Sequence, residues 1–317
     1  MPRISRKWKD AIQTIIFLLV VAAIVTVYII YPLNRVKVSM GRTNLDDYNP
    51  DSTAANDPTA FVEAGLTPDT FRVESDGLTT LACLYLTPDV DSLDSVKGTV
   101  FLVHDDGADR DAMAPLARLF VDSGFAVVAF DQRASGRSTG EYRGEGYYEA
   151  NDILEIIRYL DIRERIIHPL IIIGHSLGGD AALLAALEEK RIDAVVAANP
   201  YLTTRRLQDI LKKQYDMYWF PFFRTVMWWW YGIRSSYAAP YRDIDDIKAV
   251  ACRTLLLTNA EVADDNEIQR IKELSSPKLL ESKTIPDSDE GLYREIIRFV
   301  AAYLLSTPQV TEDNPQP

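Results

Sequence analysis

The six residues Gly174-His175-Ser176-Leu177-Gly178-Gly179 constrain this chain more than any other stretch. They follow the apolar run Leu170-Ile-Ile-Ile and read as G-x-S-x-G between a buried strand and a helix. That spacing describes a strained turn, an elbow, which lifts a serine hydroxyl above the edge of a parallel sheet. Gly174 and Gly178 permit the sharp turn, and Gly179 lets the next helix start close to the sheet. These glycines serve the backbone whether or not the serine reacts. No histidine occurs in the 141 residues after Ser176, so the seat of a nucleophile comes without an obvious base.

Around the elbow, short apolar runs alternate with amphipathic helical segments. Thr99 to His104, Ala126 to Phe130, Leu170 to Gly174, Ala194 to Ala198 and Thr254 to Leu257 are Val- and Leu-rich enough to be strands covered on both faces. Phe71 to Ser75, Asp76-Gly77 and Leu78 to Leu86 read as a strand, a hairpin turn and a second strand. A last strand, Lys278 to Ile285, leads into a helix with Leu292, Ile296, Phe299 and Tyr303 on one stripe. This alternation predicts an α/β protein with a doubly wound, mostly parallel sheet.

Ala11 to Tyr31 holds 21 residues without a charge, about 31 Å as a helix and enough to cross the hydrocarbon core of a bilayer. It exceeds the apolar stretch of most signal peptides and lacks a small-x-small site directly after it, which predicts a retained anchor. Arg3, Arg6, Lys7 and Lys9 precede the span, against Arg35, Lys37 and Arg42 after it. The bias favours a cytoplasmic N-terminus and an extracytoplasmic globular domain. The predicted organisation is a cytoplasmic segment 1–10, an anchor 11–31, a linker 32–68, one domain 69–306 with a cap insertion at about 200–248, and a disordered tail 307–317.

Residues 1–42 carry a balance of +6, which leaves −18 on the remainder of a chain of net charge −12. Such a domain repels nucleic acid and other polyanions. Cys83 and Cys252 each lie in strand-like apolar surroundings and read as buried free thiols. No cofactor is expected.

Taken in order, the Asp76-Gly77 hairpin, Val103-His104 at the end of one strand, Asp131-Gln-Arg-Ala-Ser-Gly-Arg-Ser138-Thr-Gly140 after the next, and the Ser176 elbow resemble the α/β-hydrolase superfamily. The branch resembled is that of membrane-anchored esterases, lysophospholipases and serine-aminopeptidase-like proteins, over roughly residues 65–305. The resemblance implies that Ser176 Oγ attacks a carbonyl while the amides of Leu177 and Asp106 bind the oxyanion. It also implies an acid after the seventh strand, where Val262 stands in register with Glu261, Asp264 and Asp265 nearby, and a histidine after the eighth, where the chain reads Ile285-Pro-Asp-Ser-Asp-Glu-Gly291. Neither partner is in place.

Three histidines remain. His168 precedes the fifth strand, His175 is expected to pack beneath the elbow, and His104 at the sheet rim is the candidate surrogate base. A carboxylate such as Asp289 in the vacant position is a weak proton acceptor, about 2.5 pKa units below imidazole. Asp105 stands where the family prefers glycine.

Two further features call for ligands. Acids after three strands, with Asp105 and Asp289 foremost, form a candidate cation site. Tyr215 to Tyr231 holds ten aromatics in 17 residues, and suits an apolar or acyl ligand, a headgroup region or simple packing. The sequence thus predicts a membrane-anchored protein of serine ester or amide hydrolase ancestry that is weakly active or inactive. The alternatives are a hydrolase with an unconventional base, or a noncatalytic protein that binds a ligand or partner.

Overall fold

The computed structural model describes residues 6–31, 57–92, 95–144, 146–203, 250–259, 279–285 and 288–306, with scattered positions between 206 and 229 and Glu273. The linker before residue 57, most of the aromatic cap, the acids Glu261, Asp264, Asp265, Glu267 and Asp287, Val262 and the tail lie outside the described residues.

The N-terminal helix α1, Arg6–Val25, continues through a wide turn at Thr26–Ile30. Its segment Trp8–Val25 is long and apolar enough to cross a membrane, with its side chains exposed. Met1–Gly41 and Thr203–Arg242 make up one compact unit of the chain, and Arg42–Leu202 with Asp243–Pro317 the other.

The larger unit is built on a single sheet. Among the described residues its strands are β1 Pro68–Ser75, β2 Thr79–Leu86, β3 Thr99–Val103, β4 Ala126–Phe130, β5 Leu170–His175, β6 Ala194–Ala198, β7 Arg253–Asn259 and β8 Leu280–Ile285. They lie in the order β1-β2-β4-β3-β5-β6-β7-β8. β2 runs antiparallel to both β1 and β4, and the remaining pairs are parallel. Parallel pairing brings the C-terminal ends of β3, β5, β6, β7 and β8 to one edge, where the elbow also opens. This is the mostly parallel α/β-hydrolase sheet that the sequence predicts.

Alternation along each strand builds two apolar layers. Phe101, Val103 and Ile172 join Ile153, Ile156 and Ala182 on one face, from helices α4 (Tyr147–Asp161) and α5 (Leu177–Glu188). Val100, Leu102 and Ile171 join Leu116, Phe120, Ile296 and Phe299 on the other, from α3 (Ala114–Asp122) and α6 (Asp289–Ser306). Burying one such side chain contributes roughly 1.5–3 kcal/mol.

The folded domain begins before residue 69. A short helix α2, Thr59–Glu63, puts Phe61 and, just after it, Leu66 into the second layer, so the end of the expected linker is part of the core. Cys83 is buried, but Cys252 is only partly so, and both thiols are free.

Candidate active site

β5 ends at His175, and Ser176 takes φ 52°, ψ −117° before α5 begins at Leu177. A non-glycine residue with positive φ stores strain, a cost of order 1–3 kcal/mol held by the surrounding structure. Here the Ser176 N–H donates to Ala198 O at 2.7 Å, and its carbonyl accepts from the Gly179 N–H at 2.9 Å. Gly178 is required by space, since a Cβ there would stand 2.6 Å from the carbonyl oxygens of both Val103 and His104. At Gly174 a Cβ would run into the backbone of Gly178. The elbow is therefore wedged against the end of β3. Leu177 is the first helical residue, so its N–H has no intrahelical acceptor.

The Asp131–Ser138 loop turns out to be a staple. The Asp131 carboxylate, fully buried, accepts the N–H groups of Arg110 at 2.8 Å and Arg137 at 2.9 Å. Ser138 Oγ donates to Asp131 O and accepts from the Ala82 N–H at 2.9 Å, which ties the loop to β2. Arg133 makes a two-pronged contact with Asp152 and reaches Asp76 at 2.9 Å. Burial nonetheless pushes the Asp152 carboxyl up to about 6 against the pull of that arginine.

The same loop removes His104 from the list of bases. The Gln132 N–H donates to His104 Nε2 at 2.9 Å, so that nitrogen carries a lone pair and the proton sits on Nδ1, which donates to Asp105 O at 2.6 Å. Both ring nitrogens are committed, and neither reaches Ser176. Burial lowers the affinity of this ring for a second proton. His104 shapes the loop after β3 and is no surrogate base.

His175 differs from expectation too. It does not pack beneath the elbow. Its ring is about one-third exposed and sets Nδ1 3.5 Å from Asp105 Oδ2. The turn that points Ser176 inward turns its neighbour to the rim. His168 pairs with Asp193 at 2.6 Å, away from these groups.

Asp105, the residue in place of the family's glycine, folds back on its own loop. Its Oδ1 accepts the Asp106 N–H at 2.5 Å, the amide that the resemblance assigns to the oxyanion. Burial opposes charge on Asp105, but His175 and the Asp106 N–H outweigh it and hold its carboxyl well below the usual range. Asp106 behaves in the opposite way. Burial first, and then the adjoining Asp105 carboxylate, push it up, while Arg143 pulls it down. Arg143 donates to Asp106 O and stands 3.7 Å from its carboxylate.

One buried residue near the site was missed in the sequence. Tyr201 lies buried just after β6, and burial first, then the Asp106 carboxylate, hold its hydroxyl well above the usual phenol range. Its backbone is held by Asp180, a buried residue in the first turn of α5 whose two oxygens accept the N–H groups of Tyr201 and Leu202 at 2.9 Å each. A carboxylate four residues after the nucleophile was the available signal.

Of the candidate cation site, the acids after β3 and Asp289 lie among the described residues, and those after β7 do not. Asp109 and Asp111 face Arg137 at 4.0 and 2.8 Å, and Asp105 faces His175. Asp289 is exposed at the start of α6. Among the described residues, no three His, Cys, Asp or Glu side chains are placed to hold a metal ion.

With this geometry in place, comparison with known proteins settles the lineage. The family model Hydrolase_4, described as serine aminopeptidase, S33, matches residues 94–262, more than half of the chain. The chain belongs to this family. Within it, a 102-residue stretch is 32% identical to an uncharacterized 31.7 kDa protein of the traX-finO intergenic region of Escherichia coli, covering 31% of this chain and 35% of that protein. The chain thus spans about a third of the length of the curated relatives it matches. Among solved structures it is similar to an esterase of Pyrococcus furiosus (TM-score 0.62, 17% identity, 84% of this chain and 97% of that one). It is also similar to a membrane phospholipase A described as a bacterial virulence factor (TM-score 0.53, 17% identity, 93% and 99%). At these identities the likeness shows the fold alone.

Proposed function

We propose that this S33-family chain is a membrane-anchored relative of serine ester and amide hydrolases. In this reading Ser176 keeps its seat but turns over esters and amides far more slowly than a Ser-His-acid enzyme, and the chain chiefly holds an apolar or acyl ligand, for which the aromatic cap sequence is suited. The reading rests on one observation above others: among the described residues the three histidines pair with Asp105, Gln132 and Asp193, and none is hydrogen-bonded to Ser176. Loss of the triad histidine costs about six decades in kcat in a serine hydrolase and leaves about 10³ to 10⁴ over water. The Asp106 N–H, taken by Asp105, supports the same reading, because removing one oxyanion donor costs a further 10² to 10³, roughly.

Helix α1 supports the anchor, with the N-terminus in the cytoplasm and the domain outside it. The acidic domain is no partner for nucleic acid.

A fluorophosphonate probe tests the site, since it requires an activated serine. Slow labelling that disappears in Ser176→Ala is expected. Labelling at the rate of a triad enzyme would overturn the reading. For the anchor, the full-length protein is expected to stay with membranes through carbonate extraction, and a mature N-terminus after residue 31 would show a cleaved signal instead.

A further inference from the structure

We infer that the compact unit made of anchor and cap docks on an anionic lipid surface, with Phe222, Val226 and Trp229 entering the bilayer and basic side chains of the cap meeting lipid phosphates. The inference rests on the reading above that α1 is a retained anchor, and it extends membrane contact from that helix to the cap.

Charge divides the chain along the same line as its compact units. Met1–Gly41 and Thr203–Arg242 form one unit. Together they hold 13 Lys and Arg against Asp10, Asp209 and Asp216, a balance of +10 that leaves −22 on the rest of a chain of net charge −12. An anionic surface attracts the first unit and repels the second. Six of the basic residues flank the anchor within residues 1–41, where they set its orientation. The other seven fall in residues 203–242, a segment on which anchor orientation makes no demand.

The described residues of the cap add an apolar face. The Val226 N–H donates to Phe222 O at 3.0 Å, the bond of a helical turn, and the helix includes Trp229. Positions i, i+4 and i+7 lie on one side of a helix, so Phe222, Val226 and Trp229 form one stripe. Phe222 is 63% exposed and Trp229 49%. Ahead of the stripe, Lys212 is half-buried and Lys213 exposed. Aromatic rings beside lysines and arginines suit the headgroup region, where the rings bury their apolar edges and the long cations reach phosphate.

Continuity selects the bilayer as the occupant of this face. In the same compact unit α1 leaves its apolar side chains exposed along the span Trp8–Val25, and the lipid that covers that helix is the nearest apolar medium for the cap. A second copy fits less well, since it would set one unit of +10 against another.

The test places a fluorophore on the stripe of the full-length protein in lipid nanodiscs. Val226→Cys is labelled with an NBD probe in a Cys252→Ser background, where the remaining Cys83 is buried. Leu78→Cys in the other unit, at a position 88% exposed, serves as the reference in water. Lipids with a nitroxide near the top of the acyl chain are expected to quench at least about half of the emission at 226 and almost none at 78. That quenching is expected to be stronger with phosphatidylglycerol in the disc than with phosphatidylcholine alone. Arg206→Gln with Lys212→Gln and Lys213→Gln is expected to lower it at least about twofold in the phosphatidylglycerol discs. Emission at 226 as unquenched as at 78 would overturn the inference. So would blue-shifted emission that the nitroxide leaves untouched, which means that a second copy or the acidic unit covers the stripe, and so would quenching that is the same in both lipids. If circular dichroism shows that Val226→Cys does not fold, Phe222→Cys takes its place. The anchor reading fails differently, through release of the unlabelled protein from membranes by carbonate.

Discussion

The elbow and the loop after β3 meet at Gly178, yet they have diverged in opposite ways. At the elbow every residue that shapes the backbone is in place, because the turn leaves no room for alternatives: a Cβ on Gly178 would collide with two carbonyl oxygens of the neighbouring strand end. Along the loop, a glycine position holds Asp105, and the amide of Asp106 is closed by that new carboxylate. At Gly107, one residue further, a side-chain carbon would stand in open space, with no atom within 4 Å. Steric necessity has kept the frame of a serine site, and the open loop beside it has been free to change the chemistry.

The sharpest way to break this contrast is to add one methyl group to each side of it. Gly178→Ala is expected to cost about 3 kcal/mol or more, since rigid backbone on β3 cannot yield. Gly107→Ala is expected to stay within about 0.5 kcal/mol. Urea unfolding midpoints measure both. Equal losses would mean that the loop is packed as tightly as the elbow.

Removing the Asp105 carboxylate comes next in size. Asp105→Ala frees the Asp106 N–H, and regaining one oxyanion donor is expected to raise the rate of Ser176 labelling by about 10- to 100-fold. The same substitution removes the negative neighbour that helps to push Asp106 up. The Asp106 carboxyl should then ionise at lower pH, because a negative neighbour is gone. An unchanged rate would show that Asp105 does not control the site.

The fold was legible in the sequence because its signals are periodic and redundant. The run Ala126 to Phe130 and the run Ala194 to Ala198 coincide with strands β4 and β6 to the residue. Side chains of the site were less legible, since their roles depend on contacts between distant segments. His104 stood at the right rim, but the Gln132 amide that fixes its tautomer lies 28 residues away. Tyr201 carried no motif at all, and only the buried Asp180 places it. A sequence shows which backbone turns are compulsory far better than which distant residues will meet over them.

Strain at the elbow predicts a smaller effect. Ser176 holds φ 52°, a region that glycine enters without steric cost. Ser176→Gly keeps the N–H bond to Ala198 and relieves the strain, while Ser176→Ala removes the hydroxyl and keeps it. The glycine variant is expected to be more stable than the alanine variant by about 1 kcal/mol, a net value after the greater unfolded-state freedom of glycine. Equal stabilities would place the cost of the turn elsewhere.

The smallest expected effect concerns the acids of the loop. A divalent ion such as calcium takes six to eight oxygens and must strip them of other partners. Of the described acids after β3, Asp111 is held by Arg137 at 2.8 Å, Asp106 lies 3.7 Å from Arg143, and Asp105 faces His175. On the other side Glu290 pairs with Arg294 at 2.8 Å, and Asp289 stands exposed beside it. A cation entering here would displace fixed positive charges and gain few ligands in return. A few millimolar calcium chloride is therefore expected to change the melting temperature of the full-length protein no more than sodium chloride of equal ionic strength, about 1 °C or less. A calcium-specific rise that is lost in Asp105→Asn with Asp289→Asn would mean that these pairs open and that the loops converge on a metal. The loop after β3 would then be a binding device in its own right, and its contrast with the elbow would be one of two functional elements.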